Sequence, residues 1–522
     1  MVEPALLAER LICYAAHHLS LREDDRLYLR NLLLREFGAV APAALPGGEE
    51  ARIAGAEVPD ELMAELADFA MESGRAAYRG EAERYATYVF GLLTPMPSAV
   101  GEEFRRIERE LGVRAACDMF YRLCVRNGYI QKTAIGRNLR WEYEDGGNTL
   151  EITVNLSKPE KDNKDIARLL TKPKNAETKY PACMLCPENE GFAGSDSHPA
   201  RGNLRTLALT LDGEPWRLQY SPYAYYPEHC IAFSCKHSPM KIDDSTVRKL
   251  LDFVERFPIY FIGSNAALPI VGGSILNHEH FQGGGHLLPM SYAPARTLLA
   301  CDDEPEVRLC ILDWYNSALR LESRDRAAIE RIAGQIIAAW ENWDDEENEI
   351  RSHTGEVRHN TLSPIASMTR DGCYRLDMIL RNNRTDERYP DGIFHAHPEQ
   401  HNIKKEGIGL IEAMGLFILP GRLKRQTAAI ADILCGKAAV TDEQLADPAH
   451  DLHVHRDMIA ALRRLLGHMP VSEAEANAAI TDYINRTCRD ILCCTAVFKN
   501  TERGQAGFLA FLGACGIHAR RQ

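Results

Sequence analysis

The stretch Gly272-Gly-Ser-Ile-Leu-Asn-His278-Glu-His280-Phe-Gln282-Gly-Gly-Gly285 decides how this chain is read. Val271 to Leu276 is a short apolar run with β-branched residues, which predicts a strand entering the motif. Side chains alternate faces along an extended chain, so His278, His280 and Gln282 point one way and Glu279 and Phe281 the other. Glycines at both ends let a ligand approach the backbone closely. A lone His-x-His is more often a surface or satisfied core pair. Two imidazoles and an amide on one face between glycines instead form a compact polar site suited to phosphate oxygens.

Working outward, the 522 residues exceed one simple core, which predicts two or three domains. Hydrophobic residues make up 45% and charged residues 26%, ordinary for a globular protein. A net charge of −13 argues against a general nucleic-acid binder, whose affinity depends on clustered positive charge. No apolar run approaches the roughly 20 residues that span a bilayer. The N-terminus has early acids and no basic n-region, so it does not read as a signal peptide. Fifteen scattered cysteines do not form a secreted disulfide framework. These features together predict a cytoplasmic protein.

Helical spacing of apolar residues predicts helices within 1–40 and 60–145, separated by a Pro/Gly/Ala loop at 41–50. Strands are expected from Leu150 to Leu156, and at Arg205–Leu211, Trp216–Tyr220 and Cys230–Ser234. Asp212-Gly213 marks a turn between the second and third of these. A basic stretch, Lys158 to Lys179, leads to Cys183. Later, 324–345 and 405–419 look helical, Cys373–Leu380 and Gly392–His397 look like strands, and helices return from Thr427 to about 515. The expected division is a helical region at 1–149, a β-rich domain at 150–305 carrying the His-x-His-x-Gln motif and the Cys-x-x-Cys pair, and a second β/α half with C-terminal helices at 306–522. His395-Ala-His397 repeats the His-x-His spacing, as a duplicated half could.

Cys183-Met-Leu-Cys186 reads as a metal knuckle, a redox pair or two structural thiols. Its setting, between Tyr180-Pro181 and Pro187-Glu-Asn-Glu-Gly, is closer to a zinc knuckle than to a redox pair opening a helix. Two cysteines need two further ligands for a closed tetrahedral site. Spacing alone does not choose among His229, Cys235 and His237.

The pattern His-x-His-x-Gln resembles the signature of galactose-1-phosphate uridylyltransferases, a transferase branch of the histidine-triad superfamily. The longer string from Ser264-Asn265 to Gly284 is similar to the second, bacterial type; the better-known type has proline where this chain has Glu279. The resemblance implies an α+β fold with antiparallel half-barrel sheets in two related halves. It also implies transfer of UMP from UDP-glucose to galactose 1-phosphate by ping-pong displacement, with His280 as nucleophile and Gln282 as hydrogen-bond donor to the phosphate. His237 and His278 would complete a structural zinc site with Cys183 and Cys186. Asn265, Gly273, Ser274, Asn203, Arg205 and Lys404 become candidate substrate contacts. For Lys404 and its neighbour Lys405 the alternative is a solvated face, and for Asn203 and Arg205 a solvated loop. His395 and His397 correspond to residues that help bind an accessory metal in the better-known type. A homodimer completing the site is compatible with the resemblance. A histidine-triad hydrolase or phosphorylase is the alternative activity, against which Gln282 counts, because an amide cannot protonate a leaving group.

Overall fold

The computed structural model describes residues 3–157, 180–273, 275–467 and 470–520. The basic stretch at 158–179 and the candidate contact Ser274 lie outside them. The chain divides into two compact units, each gathered from separate segments. One holds Met1–Arg137, Ser157–Ser238 and His278–Gly285; the other holds Asn138–Leu156, Pro239–Asn277 and His286–Gln522.

Three antiparallel strands, a helix and two more strands occur twice along the chain, the second time with a short hairpin, His353–Thr354 and Val357–Arg358, after the helix. The first run is β1 (Leu207–Leu211), β2 (Glu214–Tyr220), β3 (Cys230–Ser234), the helix Asp244–Arg256, β4 (Phe261–Gly263) and β5 (His280–Gly284). The second is β6 (Ala295–Cys301), β7 (Arg308–Leu312), β8 (Ala318–Ser323), the helix Arg326–Glu341, β9 (Asn360–Met368) and β10 (Tyr374–Asn382). Both helices start at an aspartate N-cap: Asp243 accepts from the Thr246 amide, and Asp325 accepts from the amides of Ala327 and Ala328.

In the first unit β1, β2, β3 and β5 lie in that order, every pair antiparallel. The β1–β2 hairpin turns on Asp212 and Gly213, both left-handed at φ 48° and 72°, which matches the twist of a two-residue hairpin. Phe281 stacks on Trp216 with ring centroids 4.7 Å apart, burying one face of the sheet. The same unit carries the N-terminal helices, among them Pro4–His18, Glu23–Phe37, Asp60–Glu72, Arg79–Leu93, Pro97–Leu111 and Val113–Arg126.

In the second unit the order is Ile517–Ala519, β6, β7, β8, β10, β9, β4, again antiparallel. Trp340, fully buried, ties the helix Arg326–Glu341 to this sheet by donating to the Thr361 and Arg381 carbonyls. A smaller sheet pairs Leu139–Asp145 antiparallel to Asn148–Asn155, which in turn runs parallel to Leu416–Pro420. C-terminal helices include Arg422–Leu434, Glu473–Thr495 and Glu502–Ala514. The α+β class with antiparallel sheets and helical ends therefore holds.

Four local expectations do not. Leu139–Asp145 is a strand rather than the end of a helix, because Gly146 and Gly147, at φ 59° and 92°, close it into a hairpin. The described residues of the next expected strand, 271–273 and 275–276, form none. Instead Gly272 turns back onto its own approach, donating to the Leu268 carbonyl, and a Cβ there would meet the Ala266 carbonyl at 2.4 Å. Gly392–His397 is also non-strand; Gly392 sits at φ 117° against the His395 side chain. Within 405–419 only Leu410–Ala413 is helical, and Leu416–Pro420 is the parallel strand.

Candidate active site and metal centre

On β5 the period-two argument holds for the strand itself. Phe281 faces the Trp216 core, so His280 and Gln282 share the opposite face. The His280 Nδ1 atom lies 2.8 Å from the His278 carbonyl oxygen. A carbonyl only accepts, so Nδ1 carries the proton and Nε2 keeps its lone pair. Burial lowers the imidazole to about 4, which leaves it neutral at pH 7. Nε2 has no partner among the described residues. This is an imidazole fixed in one tautomer with its nucleophilic nitrogen uncommitted.

Gln282 is half-buried, and its Oε1 lies 3.2 Å from Nε2 of His229, the residue preceding β3. Beyond it the strand needs glycine. Gly284 lies at φ 152°, and a Cβ there would come within 2.6 Å of the Glu228 carbonyl.

Cys183, Cys186, His237 and His278 converge within the first unit. Their ligand atoms all lie within 4.8 Å of one another. Nδ1 of His278 is 3.2 Å from Sγ of Cys183 and 3.6 Å from Sγ of Cys186. The two sulfurs are 3.6 Å apart, and Nδ1 of His237 is 3.2 Å from Sγ of Cys186. Metal–sulfur bonds of about 2.3 Å and metal–nitrogen bonds of about 2.0 Å put the edges of a tetrahedron at roughly 3.3–3.8 Å, so these spacings fit a four-coordinate ion. The loop is shaped for it: the Asn189 amide donates to the carbonyls of both cysteines, and the Leu185 N–H points at Sγ of Cys183. Nε2 of His278 donates to the Ser234 carbonyl at 2.8 Å, which turns Nδ1 toward the thiols. These four residues can hold a metal ion.

The remaining candidates are engaged elsewhere. Asn265 accepts the Leu410 N–H at Oδ1, and a Cβ on Gly273 would meet the Asn265 amide nitrogen at 2.8 Å, so these two pack on each other. Asn203 exchanges two hydrogen bonds with the backbone of Asn127 and its neighbourhood: it donates to the Asn127 carbonyl, and Asn127 donates back to its own. Arg205 is only 4% exposed and donates to the carbonyls of Gly91, Thr94, Pro95, Gly202 and Leu204. Both were read as substrate contacts or members of a solvated loop; they are buried, and these hydrogen bonds brace the N-terminal helices. Lys404, read as a substrate contact or a solvated lysine, is buried against Glu412 at 3.0 Å and donates to the Ile418 carbonyl.

Among the described residues the late histidines do not gather as a metal group. His395 Nε2 accepts the Ile408 N–H, while Nε2 of His397 and of His401 donate to the Ile393 and Ala396 carbonyls. Two contacts escaped the sequence reading, which weighed His229 only as a possible metal ligand. His229 touches Gln282 because β3 pairs with β5, and Glu412 is the buried counter-ion of Lys404. A charged or imidazole side chain next to a strand that pairs with the motif strand was the available signal for His229.

A family model described as galactose-1-phosphate uridyl transferase, N-terminal domain, matches residues 46–239, and its C-terminal domain matches 253–455. A galactose-1-phosphate uridylyltransferase of Caldanaerobacter subterraneus is 40% identical over 99% of this chain and 98% of its own length. One from Bacillus subtilis is 39% identical over 97% of both chains. A solved yeast Ap4A phosphorylase gives a TM-score of 0.32 at 11% identity, covering 64% of this chain and 89% of its own. With nearly its whole length matched at this identity, the chain belongs to the galactose-1-phosphate uridylyltransferase family.

Proposed function

We propose that this protein moves UMP from UDP-glucose to galactose 1-phosphate by two displacements at one site. Nε2 of His280 attacks the α-phosphorus, a nitrogen–phosphorus bond forms, and the bond to the departing glucose 1-phosphate breaks with its electron pair on oxygen. Galactose 1-phosphate then attacks the uridylyl-histidine through a phosphate oxygen, giving UDP-galactose and the free imidazole. Gln282 lends its amide N–H to a non-bridging oxygen as charge shifts there. A low-basicity sugar phosphate leaves without a proton, so a non-titrating residue at this position suffices.

The observation that carries this reading is the fixed tautomer of His280. The proton sits on the nitrogen facing the His278 carbonyl, so the nitrogen that must attack needs no deprotonation. The Cys183–Cys186–His237–His278 set suits zinc by its donors, and with four protein ligands the ion would serve as a structural clamp.

The reading is tested by intact mass after incubation with UDP-glucose alone, beside His280→Asn. A gain of one uridylyl group, absent in the variant and discharged by galactose 1-phosphate, is expected. Hydrolysis of UDP-glucose with no protein adduct would favour a histidine-triad hydrolase and sink the transferase.

A further inference from the structure

An amide such as Gln282 is useful to a phosphate only if its NH2 faces it. Turned over, it presents oxygen lone pairs to an anion. Something must choose between the two orientations, and the candidate is the contact between Gln282 Oε1 and His229 Nε2 at 3.2 Å.

Two arrangements are compatible with that distance. In the first, His229 carries its proton on Nε2 and donates to Oε1. In the second the amide is flipped, donates its N–H to an unprotonated Nε2, and leaves the proton on Nδ1. The other ring nitrogen decides between them. His229 is buried, 2% exposed, and its Nδ1 has no hydrogen-bond partner among the described residues. The first arrangement buries an unpaired acceptor; the second buries an unpaired N–H, and orphaned buried N–H groups are the rarer of the two. The ring itself has little freedom to turn. It contacts Tyr225, stacked at 5.3 Å, and Tyr226, tilted at 4.7 Å, and Tyr226 is anchored by its hydroxyl to the Gly283 carbonyl on β5. The Ser221 N–H holds the His229 carbonyl, and Glu228 before it takes a left-handed φ of 57° against Gly284.

We propose that His229 is a positioning residue: donating from Nε2 to Oε1, it locks the Gln282 amide with its NH2 turned away from His229 and free to bind a phosphate oxygen. The proposal rests on the role given to Gln282 above and adds what makes that role reliable. His229 touches no reacting atom. It acts through Gln282 alone, which distinguishes it from a residue that merely fills space.

The test is a double-mutant cycle on the single-turnover rate of uridylylation by UDP-glucose. His229→Phe keeps the ring and its stacking and removes the donor. Losing one phosphate donor typically costs about 100- to 1000-fold, and Gln282→Ala should fall there. His229→Phe should lose about 10- to 100-fold at an unchanged dissociation constant for UDP-glucose, and less than about 2-fold once Gln282 is already alanine. An equal loss in both backgrounds, or none in either, overturns the proposal. The wild-type protein gives a second readout without any variant. Nitrogen-15 chemical shifts of His229 should show Nε2 protonated; a proton on Nδ1 overturns the proposal. Absence of any uridylyl adduct on wild type would defeat the transferase reading, while the tautomer result would still decide which way the amide is held.

Discussion

Replacing Arg205 by methionine separates a ligand contact from a structural brace. The helix Arg79–Leu93 ends with carbonyls that have no partner within the helix, and the guanidinium meets those of Gly91, Thr94 and Pro95 as well as those of Gly202 and Leu204. A cation there also suits the negative end of the helix dipole. Of the five acceptors, those of Thr94 and Leu204 are wholly buried, at 2.9 and 2.8 Å, and cannot recover water when the donor goes. Each such orphan costs about 1–3 kcal/mol, and the other three rehydrate in part, so the variant should lose about 2–6 kcal/mol. Methionine retains the apolar stem, so little of this is cavity formation. Urea unfolding followed by far-ultraviolet circular dichroism should show the loss, with the KM for UDP-glucose within about twofold of wild type in the folded fraction. Unchanged stability together with a KM raised tenfold or more would refute the brace and restore Arg205 as a diphosphate contact.

Cys186→Ser should abolish tight metal binding, read as less than about a tenth of an equivalent of zinc by elemental analysis against about one in wild type; full occupancy in the variant would remove this cluster as the metal centre. Lys404→Met strands the buried Glu412 carboxylate and should cost about 3–5 kcal/mol in denaturant unfolding, while the double replacement by methionine and leucine should recover most of it; a single variant as stable as wild type contradicts the buried pair. His455 is fully buried between Gln426 and Asn402, and burial, followed by the nearby Arg422, lowers it to about 4. The unfolded chain therefore takes up this proton below about 6.5 while the folded one does not, so its contribution to stability is complete above pH 6.5 and is lost as pH falls toward 4. His455→Asn should flatten the stability–pH slope between pH 6 and 5 by up to about 1.4 kcal/mol per pH unit, and identical slopes would show that the ring titrates normally.

What was legible in the sequence was what local rules govern. Asp212-Gly213 announced its hairpin, since two left-handed residues suit few other connections. The period of two placed His280 and Gln282 together on β5, and the Cys-x-x-Cys spacing marked half of a metal knuckle. The other half needed the family resemblance, because His237 and His278 lie 51 and 92 residues from Cys186, and nothing local links them. The same limit explains what the sequence did not show. Arg205 and Lys404 look exposed in a polar stretch, yet folding brings the carbonyls of Gly91, Thr94 and Pro95 to the first and the Glu412 carboxylate to the second. Residues 271–276 carry strand propensity, but Gly272 is needed where the chain doubles back onto the Ala266 and Leu268 carbonyls, and that close approach overrides the apolar run.

His278 joins the two halves of the site into one argument. Its Nδ1 faces the thiols, its Nε2 donates to Ser234, and its carbonyl takes the proton of His280 Nδ1. The peptide that follows is clamped from both sides, since the Glu279 N–H reaches the Ser238 carbonyl and the Glu279 carbonyl accepts the Ser234 N–H. A metal bound to Cys183, Cys186, His237 and His278 would therefore hold the very carbonyl that selects the tautomer of His280. Without it, the ring loses its Nδ1 anchor and the carbonyl is held by the Ser234 and Ser238 hydrogen bonds alone, so it points at Nδ1 less firmly. His280 could then carry its proton on Nε2, the nitrogen that has to attack. Metal loss should on this account lower the uridylylation rate far more than it weakens UDP-glucose binding, because the ion's contribution lies in arranging the nucleophile before the substrate arrives.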